Sequence, residues 1–336
     1  MKNLKKLPLI LSILSLASFI TPVNADVKVV ASIKPLHSLA SYLMDGVGKP
    51  DLIVEGYGSP HGFSMKPSHA KILQNADLIF WVGEDLEIFL EKPLSSIAKK
   101  AEKIELMEIK GLNVLKFRER NIFDKHDHDD HDDHGKKEDD HDDHEHDDHD
   151  KKEEHANRDD HDGHEDHAHG EYDPHIWLDP MNAKVILNKM VEHLIENDAK
   201  NASKYKSNLK NAFKDIDKLT ADVKADLSKS TASIVFHDAY QYFEERFDIN
   251  ILGAFTVNTD VMPGAEQLSE IREIIEHDKV SCIFSEPQFN PDIINAVAKD
   301  MDIKTGILDP LGATLNPGKN LYFDLIRNMS DSFKGC

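Results

Sequence analysis

The chain has 336 residues, a formal net charge of −22, 20 histidines and only two cysteines. That length accommodates two α/β lobes, while the acidic balance, with no basic face or basic amphipathic helix, makes nucleic acid and anionic lipid poor partners. The charge is concentrated: residues 124–173 hold 24 acidic and six basic side chains, the first 25 residues add three lysines, and the remaining chain is only seven negative.

Residues 1–25 read as a secretory signal peptide. Lys2, Lys5 and Lys6 precede an apolar run from Leu7 to Ile20, and Val23-Asn24-Ala25 supplies the small residues of a cleavage site, so the mature protein is expected to begin at Asp26. The run is shorter than the roughly 20 residues of a membrane span. No cysteine follows the cleavage site to carry a lipid, which favours a soluble protein of the periplasm.

Next comes an alternation of strands and helices. Val27–Ala31 reads as strand and Pro35–Leu43 as a helix opened by proline. Asp51–Val54, Asp77–Val82 and Ile104–Met107 read as strands, and Pro67–Gln74 and Leu86–Leu90 as helices. This predicts an N-terminal α/β lobe over 26–196 built on a four-stranded parallel or mixed sheet.

Near its end the lobe is interrupted by a stretch holding thirteen of the 20 histidines. Its irregular spacing encodes no single coordination polyhedron and no buried element, so residues 124–172 read as a disordered, metal-attracting loop. Imidazole nitrogens such as those of His126, His128, His131, His134, His141, His144, His146 and His149 suit Zn²⁺, Cu²⁺ and Ni²⁺, and the interleaved carboxylates add negative potential. Many loose sites are expected; the competing reading is a solvated acidic spacer.

Beyond the insertion, Asn182–Glu196 reads as one helix and Lys200–Lys229 as a second. Three- and four-residue steps separate the apolar residues of the second helix, and it contains no glycine or proline. As a linker over 197–230 it would reach roughly 45 Å and hold two lobes in fixed relation. A C-terminal lobe over 231–336 follows, with strands at Ala232–Phe236, Ile249–Phe255, Val280–Phe284 and Ile303–Leu308, and helices at Ala239–Phe247, Ala265–Glu276, Pro291–Met301 and Asn320–Phe333. The expected fold class is α/β, two Rossmann-like lobes bridged by one long rigid helix, with a cleft between them.

Seven histidines lie outside the insertion. His61 follows the strand at 51–54, His237 ends the strand at 233–236, and His175 precedes Ile176-Trp177-Leu178, so all three suit the carboxyl-end edge where open α/β sheets bind ligands. Asp309 has the same placement after Gly306-Ile307-Leu308, and three imidazoles with one carboxylate would make a near-tetrahedral Zn²⁺ set. Asp309 reads equally as the cap of the turn Asp309-Pro310-Leu311-Gly312. His37, His69, His193 and His277 fall within helical patterns and are assigned to helix faces or ends. Cys282 and Cys336 have one possible intramolecular pairing in an oxidising compartment, which would pin the C-terminal helix to its lobe; the alternative is two free thiols.

Gly58-Ser59-Pro60-His61 with Met65-Lys66-Pro67-Ser68, Ala76-Asp77-Leu78-Ile79-Phe80-Trp81-Val82-Gly83, Asp173-Pro174-His175-Ile176-Trp177-Leu178-Asp179-Pro180, Phe236-His237-Asp238-Ala239-Tyr240, Phe284-Ser285-Glu286-Pro287-Gln288-Phe289 and Leu308-Asp309-Pro310-Leu311-Gly312 occur in order along the chain. Together they resemble the periplasmic zinc-binding component of the high-affinity zinc-uptake ABC transporter, across essentially the whole mature chain. The resemblance implies two α/β lobes with metal in the cleft, His61, His175 and His237 as ligands, Zn²⁺ as cargo, an inner-membrane ABC permease as partner and a monomer as the working state. Two positions depart from that family's pattern. Pro60 stands where some relatives place a metal-approaching glutamate, leaving Asp309 or water as the fourth ligand, and Ala254 stands where some carry a histidine of a second metal site. Manganese and iron binders of the wider superfamily usually place glutamate at the His237 position, so the third imidazole favours Zn²⁺.

Three protein ligands and an open position also describe catalytic zinc, so a secreted zinc hydrolase is the competing class. Glu286 is its only obvious general base, and no His-Glu-x-x-His, Gly-x-Ser-x-Gly or phosphate-cradling glycine loop occurs. A periplasmic zinc buffer or an adhesin would share the site.

Overall fold

Short strands, apolar at the centre of each sheet, build two parallel sheets in the computed structural model, which describes residues 27–118, 120–123, 170–227, 231–257, 259 and 261–336. The expected signal peptide with its cleavage site, and the histidines His126 to His149 with the rest of the acidic insertion to residue 169, lie outside the described residues.

The first sheet joins β1 (Val29–Ala31), β2 (Asp51–Leu52), β3 (Leu78–Trp81) and β4 (Glu102–Glu105) in the order β2-β1-β3-β4, every pair parallel. β1 and β3 are buried at every position, as central parallel strands covered on both faces must be. Helices α1 (Lys34–Leu43) and α2 (Pro67–Asn75) each carry proline in the first turn, where its missing N–H costs nothing. α3 (Glu84–Ser96) runs past Leu90 and through Pro93, with a break at Glu87. β4 begins two residues ahead of the predicted strand, yet its pairing persists to Met107, whose N–H donates to the Val82 carbonyl at 3.0 Å. β4 is an edge strand with a neighbour on one side only, and its Glu-Lys-Ile-Glu sequence has a single buried residue, so its boundaries are weakly marked in sequence.

The second sheet repeats the plan. β5 (Ser233–His237), β6 (Ile251–Thr256), β7 (Cys282–Ser285) and β8 (Lys304–Ile307) lie in the order β6-β5-β7-β8, again parallel. Helices α6 (Gln241–Phe247), α7 (Ala265–His277), α8 (Asp292–Met301) and α9 (Leu321–Lys334) complete this lobe.

The lobes are fused more extensively than a single linker implies. α4 (Pro180–Asn197) leads through a 3-10 turn into α5 (Ala202–Asp226), 25 residues or about 37 Å long, which packs on α1 and α4 of the first lobe and on α9 of the second. α9 also packs on α1, and one cluster of buried apolar side chains continues from Phe80 and Leu36 through Tyr205 and Ile216 to Phe284 and Phe333. The far face of the second sheet has its own smaller cluster around Phe236, Phe255, Ile271 and Ile283. Polar ties reinforce the junction. The Lys34 ammonium, on a residue only 4 % exposed, donates to the carbonyls of Gly312, Ala313 and Leu315 at 3.1, 2.7 and 3.1 Å, so its three protons meet three acceptors. The Tyr322 backbone N–H donates to Ser38 Oγ and its hydroxyl to the Trp177 carbonyl.

A second crossing has no counterpart in the predicted strands. Residues 120–123 leave the first lobe and pair antiparallel with β6: the Phe123 N–H donates to the Leu252 carbonyl at 2.9 Å, and the Ala254 N–H to the Asn121 carbonyl at 2.8 Å. Gly253 permits this approach, since a Cβ there would stand 2.6 Å from the Asn121 oxygen. Cys282 and Cys336 form a disulfide with Cα atoms 5.8 Å apart. It fixes the end of α9 to the start of β7.

Candidate metal centre

Three imidazoles converge at the carboxyl ends of the two sheets. His61 lies in the turn after β2, where its N–H donates to Ser59 Oγ at 3.3 Å. His237 is the last residue of β5. His175 stands before the 3-10 turn Ile176–Leu178 on a segment fixed at Asp173, whose N–H donates to the Leu115 carbonyl and whose own carbonyl accepts from the Tyr242 hydroxyl at 2.6 Å. Ring centroids are 5.3 Å apart for His175 and His237, 5.5 Å for His61 and His175, and 5.8 Å for His61 and His237. One nitrogen from each of the three can be chosen so that all lie within 4.8 Å of one another.

Carboxylates behind two of these rings decide which nitrogen faces the cleft. Asp173 Oδ1 accepts from the His175 backbone N–H at 2.9 Å and lies 2.7 Å from His175 Nδ1. Glu286 Oε1 lies 2.6 Å from His237 Nδ1 and accepts from the Tyr240 hydroxyl at 2.9 Å. With both Nδ1 atoms engaged, the Nε2 atoms of His175 and His237 face each other at 3.4 Å. Two corners of a tetrahedral Zn²⁺ with Zn–N bonds of about 2.0–2.1 Å would stand about 3.3 Å apart, so the pair already has the spacing of metal ligands. A carboxylate on the second ring nitrogen is the arrangement that fixes tautomer and orientation in zinc sites.

The electrostatics favour a cation. Asp173 and Glu286 are buried, and each has one side-chain oxygen, Oδ2 and Oε2 respectively, with no hydrogen-bond partner among the described residues. Burial raises the Asp173 carboxyl to about 7, against the opposing pull of the His175 N–H and of the charges on His237 and Arg118. Burial, followed by the charge of His237, holds His175 well below the usual imidazole range. Burial would lower His237 too, but the adjacent Glu286, assisted by Asp238 and Asp173, reverses the sign and holds it above that range. Pro60, Trp177, Phe289 and Leu311 wall the site, and Trp177 Nε1 donates across to the Pro310 carbonyl at 2.8 Å.

Asp309, expected as a possible fourth ligand, is not brought into this group. Its Oδ1 accepts from Gln288 Nε2 at 3.0 Å and the Leu311 N–H at 3.3 Å, and its Oδ2 from the Thr314 N–H and hydroxyl. The carboxylate serves the Asp-Pro turn, the local competitor for its lone pairs. Glu286 is the candidate base of the hydrolase reading, and its ordered oxygen is committed to His237 and Tyr240. Asp173 went unassigned in the sequence, although its i, i+2 spacing to His175 within Asp-Pro-His is the signal that marks it. His37 and His69 sit on helices α1 and α2, His277 ends α7, and His193 lies in α4.

A family model described as zinc-uptake complex component A, periplasmic (ZnuA), matches residues 29–336. The high-affinity zinc uptake system protein ZnuA of Brucella abortus (strain 2308) is 46 % identical over 310 residues, covering 92 % of this chain and 91 % of that protein. The protein of the same name from Haemophilus influenzae (strain ATCC 51907 / DSM 11121 / KW20 / Rd) is 37 % identical over 340 residues, covering 100 % and 99 %. Among solved structures, a crystal structure of ZnuA superposes with a TM-score of 0.68 at 18 % identity, covering 92 % of this chain and 99 % of that one, a likeness of fold.

Proposed function

The chain belongs to the ZnuA family of periplasmic zinc-uptake components, and from that premise we propose that it holds Zn²⁺ in the interlobe cleft on His61, His175 and His237 for delivery to its permease. It is a solute-binding protein of a zinc-uptake ABC transporter and not an enzyme. The observation that carries the ligand assignment is the 3.4 Å approach of two Nε2 atoms, each backed by a carboxylate on Nδ1. Water completes the coordination sphere while Asp309 stays in its turn. Three nitrogens in place of a mixed nitrogen and oxygen set favour Zn²⁺ over Mn²⁺ or Fe²⁺.

Residues 1–25 act as a cleaved signal peptide, residues 26–196 and 231–336 as the two lobes and residues 197–230 as the linker. The protein works as a monomer without nucleic acid, a reading supported by one chain supplying all three imidazoles. The insertion, through His126, His128, His131, His134, His141, His144, His146 and His149, gathers zinc loosely around the cleft by its negative potential. Competition titration of the mature protein against a zinc chelator tests the cleft assignment. His61→Ala, His175→Ala and His237→Ala should each weaken the tight site by more than about 100-fold, beyond the range seen for outer partners of metal ligands. A variant that kept wild-type affinity would remove its residue from the site.

A further inference from the structure

We infer that a second, weaker divalent-cation site lies on the outer face of the first lobe, formed by Glu102, His193 and Glu196. Glu102 opens β4, at the end of the sheet opposite the cleft, while His193 and Glu196 lie one turn apart on α4. Each residue offers a ligand atom, and the three atoms lie within 4.8 Å of one another. His193 Nδ1 is 2.7 Å from Glu102 Oε1 and 3.5 Å from Glu196 Oε2.

The state of His193 points to a ligand. The residue is 9 % exposed, and neither ring nitrogen has a hydrogen-bond partner among the described residues. The 2.7 Å approach of Glu102 Oε1 is an ion-pair contact only when the ring is protonated; on a neutral ring protonated at Nε2, the Nδ1 lone pair faces two carboxylates, a repulsion that a cation relieves. A buried imidazole with both nitrogens unsatisfied costs free energy that a cation on the Nδ1 lone pair would recover. Asn197 orients the group: its Nδ2 donates to Glu102 Oε2 at 2.8 Å and to the His193 carbonyl at 2.9 Å, leaving Glu102 Oε1 turned to the ring.

A cation with bonds of about 2.0–2.2 Å needs its donors about 3.3 Å apart, so the Glu102 side chain must withdraw by roughly 0.6 Å. That carboxylate is partly exposed and free to do so. One imidazole and two carboxylates suit Zn²⁺ with water filling the open positions. The site offers one imidazole against three in the cleft, and its carboxylates are partly or largely exposed, so binding is weaker than in the cleft.

The loop histidines also take zinc, so the test must resolve individual sites. Crystals of the full mature chain grown with ZnCl₂ at concentrations that saturate the loop would be measured on both sides of the zinc absorption edge. The expected result is an anomalous peak beside His193 Nδ1 in addition to the cleft peak. His193→Ala should abolish it, and Glu196→Gln, on an exposed side chain that leaves the fold and the cleft alone, should require about tenfold more ZnCl₂ for the same occupancy across a concentration series. A filled cleft with no peak at His193, or a peak that survives His193→Ala, would overturn the inference.

Discussion

At the scale of single residues, the two carboxylates behind the histidines are expected to set both zinc affinity and its pH response. Zinc takes only neutral imidazole. His175 is held neutral by burial, whereas His237 keeps a proton above the usual imidazole range because Glu286 stabilises its charged form. That proton must leave as Zn²⁺ binds, so affinity should be level above the raised pKa of His237 and fall as pH drops through it. Glu286→Gln removes the stabilising charge; the onset of the fall should move to lower pH, while affinity at the plateau drops about 10–100-fold. Chelator competition across a pH series reads both effects, and an unmoved onset would sink the assigned role. For Asp309 the expectation is opposite. Asp309→Asn should leave zinc affinity nearly unchanged while weakening the turn by about 0.5–1.5 kcal/mol, because its carboxylate serves Leu311, Thr314 and Gln288. X-ray absorption counting three protein donors in both wild type and variant would agree with that reading.

At the scale of elements, α9 carries the junction between lobes. Its start docks on α1 through Tyr322 and Ser38, and its end is bound by Cys336 to Cys282 on β7. Reducing the disulfide should cost about 2–5 kcal/mol of stability. Denaturant melts with and without reductant measure the loss, and equal midpoints would show the bond to be idle. Lys34 is a second lever. Lys34→Met keeps the stem but strands two buried carbonyls and one partly buried one, with an expected cost of about 2–4 kcal/mol. Since Lys34 does not touch the histidines, zinc stoichiometry in the folded variant should stay at the wild-type value. A Lys34→Met protein as stable as wild type would show that other contacts hold the junction.

At the scale of the whole molecule, the proposed division is a tight site in the cleft and loose binding by the acidic insertion. Deleting residues 124–169 should leave one tight equivalent and the weaker site at His193 while removing the loose equivalents of the insertion, as measured by equilibrium dialysis with metal analysis. An unperturbed imidazole titrates near about pH 6.5, so the loose equivalents of the intact chain should fade between about pH 7.5 and about pH 5.5, before the carboxylates protonate. Loss of the tight equivalent on deletion would mean that the cleft does not bind alone.

The α/β order of elements, the bridging helix and the candidate histidines were legible in the chain because each is written locally. An apolar run such as Leu78–Trp81, a proline opening α2 or a histidine at a strand end depends on neighbours a few residues away. What depended on contacts between distant segments was settled only by the tertiary structure. That 120–123 would add to the second sheet turned on Gly253, more than a hundred residues later, and that α9 would weld the lobes turned on Ser38 and Trp177. Asp309 had two local readings of equal standing, and the hydrogen bond its carboxylate accepts from Gln288, 21 residues earlier, had no local signature. The pairing of Glu286 with His237, 49 residues apart, and of Glu102 with His193 had no periodic signature either. Local pattern decides which face of a segment is buried, and only packing decides what buries it.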